Sequence, residues 1–222
     1  MSEERELICV SVLFCVFVCV FRGNAFFNHR RHGTKTEHRS HRPKTPKNYF
    51  LDVWIMISPF NNITPRIHST AFVADDAIVI GDVEIGEDAS VWFGSIIRGD
   101  VNFIRIGART NIQDATVIHV SSKTHSTILE EEITVGHRVT LHGCHVESGC
   151  LIGIGAILLD GVRVGKNSLV AAGSLLTPNT VIPPNSLVMG APAKVKRELT
   201  AEESAGLQRS WQNYVKLKEK YR

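Results

Sequence analysis

The chain has 222 residues, 43% hydrophobic and 21% charged, which fits one domain plus an appendage. Its formal net charge of +3 is unevenly placed: residues 1–55 hold nine Lys/Arg and five acids, which leaves 16 basic and 17 acidic residues in 56–222. A near-neutral main domain argues against a nucleic-acid partner, and five cysteines give neither a disulfide framework nor zinc-finger spacing, so a reducing compartment is the default.

The first element in chain order is the apolar run 7–21, LICVSVLFCVFVCVF, broken only by Ser11. It is shorter than the ~20 residues a membrane-spanning helix needs. Glu3, Glu4 and Glu6 precede it and the basic residues follow it, the reverse of a secretory signal, and no small-x-small cleavage site comes after. Positive-inside logic places the basic stretch 22–47, and with it the main domain, in the cytoplasm. Residues 22–48 are polar and basic and are expected to form a disordered linker. Met56 opens the repeat region almost at once, so residues 1–55 read either as an anchor or targeting segment or as an overlong start. A membrane partner follows only from the first reading.

From residue 67 an aliphatic residue recurs every six positions: Ile67, Val73, Val79, Ile85, Val91, Ile97. The series slips by three to Ile106, Ile112 and Ile118, breaks, and continues at Val135 and Leu141. One residue is then dropped, and Val146, Ile152, Leu158, Val164, Val170, Leu176, Ile182 and Val188 follow. A period of six is neither helical nor a simple strand alternation. It suits an all-β solenoid, a parallel β-helix over 56–196 in which each hexad is one short strand plus a corner and three hexads close a triangular coil. The C-terminal segment 197–222 begins with a capping box, Thr200 to Glu203. It continues with an apolar stripe, Leu207, Trp211, Tyr214, Val215 and Leu217, and is expected to form a helix packed on the solenoid wall. Cys144 and Cys150 read as two small buried thiols.

With the faces called A, B and C from Ile106, Ile112 and Ile118, His119 stands one past the leading aliphatic on face C. The spacing from Ile118 to Leu141 exceeds a plain coil by five residues, expected to loop out of 120–132. His142 then stacks one rung above His119, and adjacent rungs lie ~4.8 Å apart, so both imidazoles reach one ion. His137, two past Val135, belongs to face B. A homotrimer that sets face B of one subunit against face C of the next brings all three together at the boundary. Arg98, one rung below His119, and Asp114, under His137, are expected to meet across the same boundary.

These residues resemble the gamma-class carbonic anhydrase family over roughly 60–220. The motifs are Arg98-Gly99-Asp100, Asn111-Ile112-Gln113-Asp114, His119, Val135-Gly136-His137 and Leu141-His142-Gly143. The resemblance implies a left-handed hand for the coil and a homotrimer. It implies Zn2+ (or Fe2+ or Co2+) held by His119, His137 and His142, a salt-bridge network of Arg98, Asp100 and Asp114, and Gln113 positioning the reactive solvent. Tyr214 is matched to the family's site tyrosine. The acidic loop of the larger members is shortened here, with Ser122 and Lys123 in its place, as in the shorter bacterial branch.

Three neutral histidines leave zinc an open position, where a water's pKa falls from about 15.7 to about 7. The implied reaction is attack of that hydroxide on CO2 to give bicarbonate. A metal-dependent acyl-CoA thioesterase would use the same nucleophile on a larger carbonyl, and an assembly subunit would keep the trimer without turnover. A hexapeptide-repeat acyltransferase would need one histidine as general base, and three convergent histidines disfavour it.

Overall fold

Each leading aliphatic points into the coil and pairs with its counterpart one turn on. A computed structural model describes residues 56–222, and the apolar run 7–21 and the basic linker lie outside the described residues. On face C, Val79 pairs with Ile97, Ile97 with Ile118, Ile118 with Leu141, Leu141 with Leu158 and Leu158 with Leu176, all in parallel. Face B stacks Val73, Val91, Ile112, Val135, Ile152, Val170 and Val188 in the same way. Face A runs from Ile67 through Ile85, Ile106, Leu129, Val146 and Val164 to Ile182. The result is a left-handed parallel β-helix of about seven turns with a C-terminal helix. Most of these inner residues have no exposed surface. Each fully buried aliphatic contributes about 1.5–3 kcal/mol of transfer free energy, so the ladder is the core.

The expected loop over 120–132 is narrower than the spacing alone implied. Thr127–Leu129 is a strand on face A, paired with Ile104–Ile106. Leu129 is 1% exposed and fills the coil as any leading aliphatic does. The extra residues therefore fall within 120–126, where Ser121 and His125 form an antiparallel bridge. Cys144 and Cys150 are free and buried, and burial pushes both thiols up to about 12.

The last coil is closed by a hairpin. Ala193–Glu198 pairs antiparallel with Ser186–Gly190 and covers the open edge of face B. The helix Ala201–Lys218 follows, capped by Thr200 and Glu203 in a reciprocal pair of hydrogen bonds. It packs on the face B strands Ser90–Val91, Asn111–Ile112 and Thr134–Val135. Trp92 anchors it, with Tyr214 edge-on at 5.4 Å and Tyr221 at 5.2 Å. Face B is thus covered by the chain's own helix, which corrects the expectation that it stands open to a neighbouring subunit.

The outward side chains differ from face to face. Face A presents Arg66, Glu84, Arg105, Ile128, His145 and Arg163 in one column, mostly charged. Face C presents Ile78, Ile96, Val117, Thr140, Ile157 and Leu175. Val117 and Ile157 are 40% and 39% exposed, so face C carries an apolar stripe that the described residues leave uncovered. Among the described residues no helix is long and apolar enough to cross a membrane.

Candidate metal centre

Beside that apolar stripe runs a second outward column, one past each leading aliphatic. Arg98, His119 and His142 occupy it. His142 pairs in register with His119 on the next coil. Their rings are 5.2 Å apart between centroids, and His119 Nδ1 lies 3.2 Å from His142 Nε2. The opposite nitrogen of each ring is held by a carboxylate: His119 Nε2 by Asp100 Oδ1 at 2.9 Å, and His142 Nδ1 by Asp160 Oδ1 at 2.9 Å. Asp100 also takes the Arg98 guanidinium. Gly99 between them permits the local path, because a Cβ there would sit 2.7 Å from the Asp82 carbonyl oxygen of the coil below.

The carboxylates dictate the tautomers. A carboxylate accepts, so the ring nitrogen facing it carries the hydrogen, and in a neutral imidazole the other nitrogen is then a bare lone pair. His119 Nδ1 and His142 Nε2 therefore aim two lone pairs at one another across 3.2 Å. That arrangement is repulsive until a proton or a metal ion sits between them. Zn–N bonds of 2.0–2.1 Å in a tetrahedron give an edge of about 3.3 Å between ligand nitrogens, so the spacing of the pair matches that of two ligands of a zinc-like ion. Carboxylates behind ligand histidines are the usual second support of such a centre.

Burial raises the pKa of Asp100 and Asp160, but their hydrogen bonds outweigh it and hold both below the usual carboxylate value. For Asp100 the partners are His119 and Arg98, and for Asp160 they are His142 and Ser121. Both acids therefore stay ionised at neutral pH and keep the tautomers fixed.

The third histidine stands apart. His137 follows the face B strand Thr134–Val135, at the corner leading to face C, with its side chain 41% exposed. Asp114 Oδ2 lies 2.9 Å from its Nδ1, which leaves Nε2 as the free lone pair. Gln113 is buried at 6% exposure, and its Nε2 donates to Asn111 Oδ1 at 3.1 Å. Asn111 donates to Thr134 Oγ1, which donates in turn to Ser210 on the helix. Tyr214 belongs to the same neighbourhood. Burial raises its phenol, and the negative charge of Asp114 adds to the rise.

One chain therefore carries two separate clusters. Arg98, Asp100, His119 and His142 gather on face C; Gln113, Asp114, His137 and Tyr214 gather around the B–C corner. Arg98 meets Asp100 within the chain, while Asp114 meets His137. Among the described residues no group of three or more His, Cys, Asp or Glu is arranged to hold an ion. Asp160 and Ser121 were not singled out from sequence; Leu159-Asp160-Gly161 reads locally as a turn, and only its position one coil on from Gly143, next to His142, gives it away.

The repeat model for bacterial transferase hexapeptides (six repeats) matches residues 143–178. Gamma carbonic anhydrase 1, mitochondrial, of Arabidopsis thaliana is 44% identical over 179 residues; the match covers 77% of this chain and 65% of that longer protein. The carbonic anhydrase of Geobacillus kaustophilus is 48% identical over 167 residues, covering 75% of this chain and 91% of its own length. A hexapeptide transferase family protein from Anaplasma phagocytophilum has a crystal structure that superposes with a TM-score of 0.73 at 40% identity. That match covers 76% of this chain and 99% of that one.

Proposed function

This chain belongs to the gamma-class carbonic anhydrase family, and from that footing we propose that it is a metal-dependent enzyme for the reversible hydration of CO2, its centres shared between the subunits of a homotrimer. The observation that carries the reading is the pair of ring nitrogens, His119 Nδ1 and His142 Nε2, 3.2 Å apart, each ring backed by a carboxylate. His137 of a neighbouring subunit supplies the third nitrogen, from the corner rather than from the covered face. The apolar stripe of Val117 and Ile157 supports this assembly, because it lies beside the histidine column on the one face that, among the described residues, is neither charged nor covered.

When bound, an ion such as Zn2+, Fe2+ or Co2+ supplies Lewis acidity and a water nucleophile at neutral pH. The protein's own groups do the rest. Asp100, Asp114 and Asp160 hold the three imidazoles in the tautomer that binds. Gln113, fixed by Asn111, orients the attacking solvent with its remaining amide capacity. Tyr214 closes the helix side of the corner. The stripe on face C, once buried between subunits, keeps bulk water from the approach of an apolar substrate.

Metal analysis and stopped-flow CO2 hydration on the metal-loaded protein test this directly, run beside a panel of CoA thioesters. One ion per chain with hydration activity supports the proposal. Stoichiometric metal with thioester hydrolysis alone supports the thioesterase reading, and metal without turnover the assembly-subunit reading.

A further inference from the structure

Resting on the reading of His119, His137 and His142 as metal ligands, we propose that Asp160 is a positioning residue for His142, seated by Ser121 and by the absence of a side chain at Gly143.

Asp160 lies two past Leu158, which pairs with Leu141 one coil below, so the acid stands over Gly143 and its side chain reaches the neighbouring His142. Both of its oxygens are engaged. Oδ1 accepts from His142 Nδ1 at 2.9 Å, and Oδ2 accepts from Ser121 Oγ at 2.9 Å. A carboxylate fixed at both ends cannot rotate, so it fixes the ring plane of His142 as well as its tautomer. Ser121 is itself held. Its backbone N–H donates to the His125 carbonyl across the loop bridge, and its carbonyl accepts from Asn102. The short loop after His119 thereby acts on the other histidine of the pair.

Gly143 makes the seat possible. Its φ is +59°, and a Cβ there would lie 2.1 Å from Asp160 Oδ1. The same packing recurs at two other corners, where Gly149 lies under the Asn167 amide and Gly161 under the Asn179 amide, at 2.4 and 2.3 Å by the same measure. An Asx side chain laid over a left-handed glycine is therefore a feature of the coil. At those two corners an uncharged amide does the packing. An acid takes its place at the corner whose glycine, Gly143, directly follows His142. The geometry of the coil explains the Asx, and the needs of His142 explain the carboxylate.

The test titrates metal-free protein with Zn2+ and Co2+ against a chelator of known affinity, and records the visible absorption of the Co2+ form. Asp160→Ala is expected to weaken binding about 10–100-fold and to shift the Co2+ bands. Asp160→Asn keeps the seat and an accepting oxygen, so it should recover part of that loss while leaving the unfolding midpoint of the metal-free protein at the wild-type value. Ser121→Ala should weaken binding in the same direction, and together with Asp160→Asn it carries the test if Asp160→Ala does not fold. Wild-type affinity and spectrum in all three, beside loss of the ion in His142→Ala, would overturn the positioning role and leave the metal reading intact. Retention of the ion by His142→Ala would overturn the metal reading and this proposal with it.

Discussion

His137 leans on Asp114 through Nδ1 at 2.9 Å, on a different wall from the facing pair His119 and His142. If one ion needs all three, two different single variants complement each other. Subunits carrying His137→Ala and subunits carrying His142→Ala each form trimers with every centre broken. After mixing and reassortment, a boundary that takes His137 from one type and His119 with His142 from the other is whole. Metal content should rise to about one ion per mixed trimer, and CO2 hydration with it. His119→Ala mixed with His142→Ala should recover nothing, because both ligands come from the same side of a boundary. Recovery in that second mixture would place the ligands wrongly.

Among the described residues Arg98 reaches only Asp100, and it keeps 44% of its side chain exposed. A pair so exposed contributes about 0–1 kcal/mol to folding. Arg98→Ala should therefore leave the unfolding of the coil almost unchanged. If the proposed trimer sets Arg98 against Asp114 of the next subunit, the effect belongs to that boundary, and the trimer should dissociate at higher protein concentration. Mass photometry across a dilution series reads this. A destabilised coil with an unchanged dilution curve would assign Arg98 to the chain alone.

The ladder was legible because a solenoid places one inner aliphatic on each face at every sixth position, and even the slips of the series are slips of the coil. Ile118 to Leu141 shows this: the excess length was visible, though its place was not, since Thr127-Ile128-Leu129 resumes face A before the next clear repeat at Val135. The helix was visible from Thr200 and Glu203, but its docking face was not inferred. The signal was Phe72 and Trp92, two large aromatics beside inner positions of face B that need a cover. Histidines announce themselves by type, whereas Asp160 acquires its role only from the coil stacked beneath it.

Acid should weaken the fold through Asp88 and Glu130. Burial raises both, but hydrogen bonds from Lys218 and Thr70 to Asp88, and from Ser148 and His145 to Glu130, outweigh it and hold both below the usual range. A depressed carboxylate contributes stability that is present above its unfolded value, about 4, and is lost as pH falls through the lower folded value. Thermal midpoints should be flat from neutral pH to about 5 and fall below about 4. Glu130→Gln should lower the neutral midpoint and flatten the acid slope. An acid slope as steep as that of the wild type would remove Glu130 from this account.

Residues 56–222 carry their own ladder, from Ile57 paired on Val79 to the closing hairpin and helix. A chain beginning at Met56 is expected to stay soluble, form trimers by light scattering and take up metal. Insoluble protein from that shorter chain, beside a soluble full-length one, would show that residues 1–55 take part in the fold.

Lys218, the last residue of the helix, has no exposed surface, yet its Nζ lies 3.2 Å from Asp88 Oδ1 and 3.0 Å from the Thr70 carbonyl oxygen, with Glu219 as a further acidic partner. Asp88 and Thr70 belong to the first coils, so one ammonium ties the end of the chain to the start of the solenoid. A desolvated cation costs free energy unless its donors are all met, and here two carboxylates and a carbonyl meet them. Removing the charge leaves Asp88 partly desolvated with Thr70 alone. Asp88 is still 36% exposed, so the loss falls short of that for a fully buried pair. Lys218→Met, which keeps most of the stem, should cost about 1–3 kcal/mol in urea unfolding. Lys218→Ala should cost more, because the stem's packing goes as well. Lys218→Met combined with Asp88→Asn should win back part of the loss, since no lone charge remains. Tyr221 packs on Trp92 at 5.2 Å beside this clip. A loosened helix end should therefore also shift the tryptophan emission before the coil unfolds. Equal stability of Lys218→Met and the wild type would mean that the aromatics around Trp92, and not the ion pair, hold the helix in place.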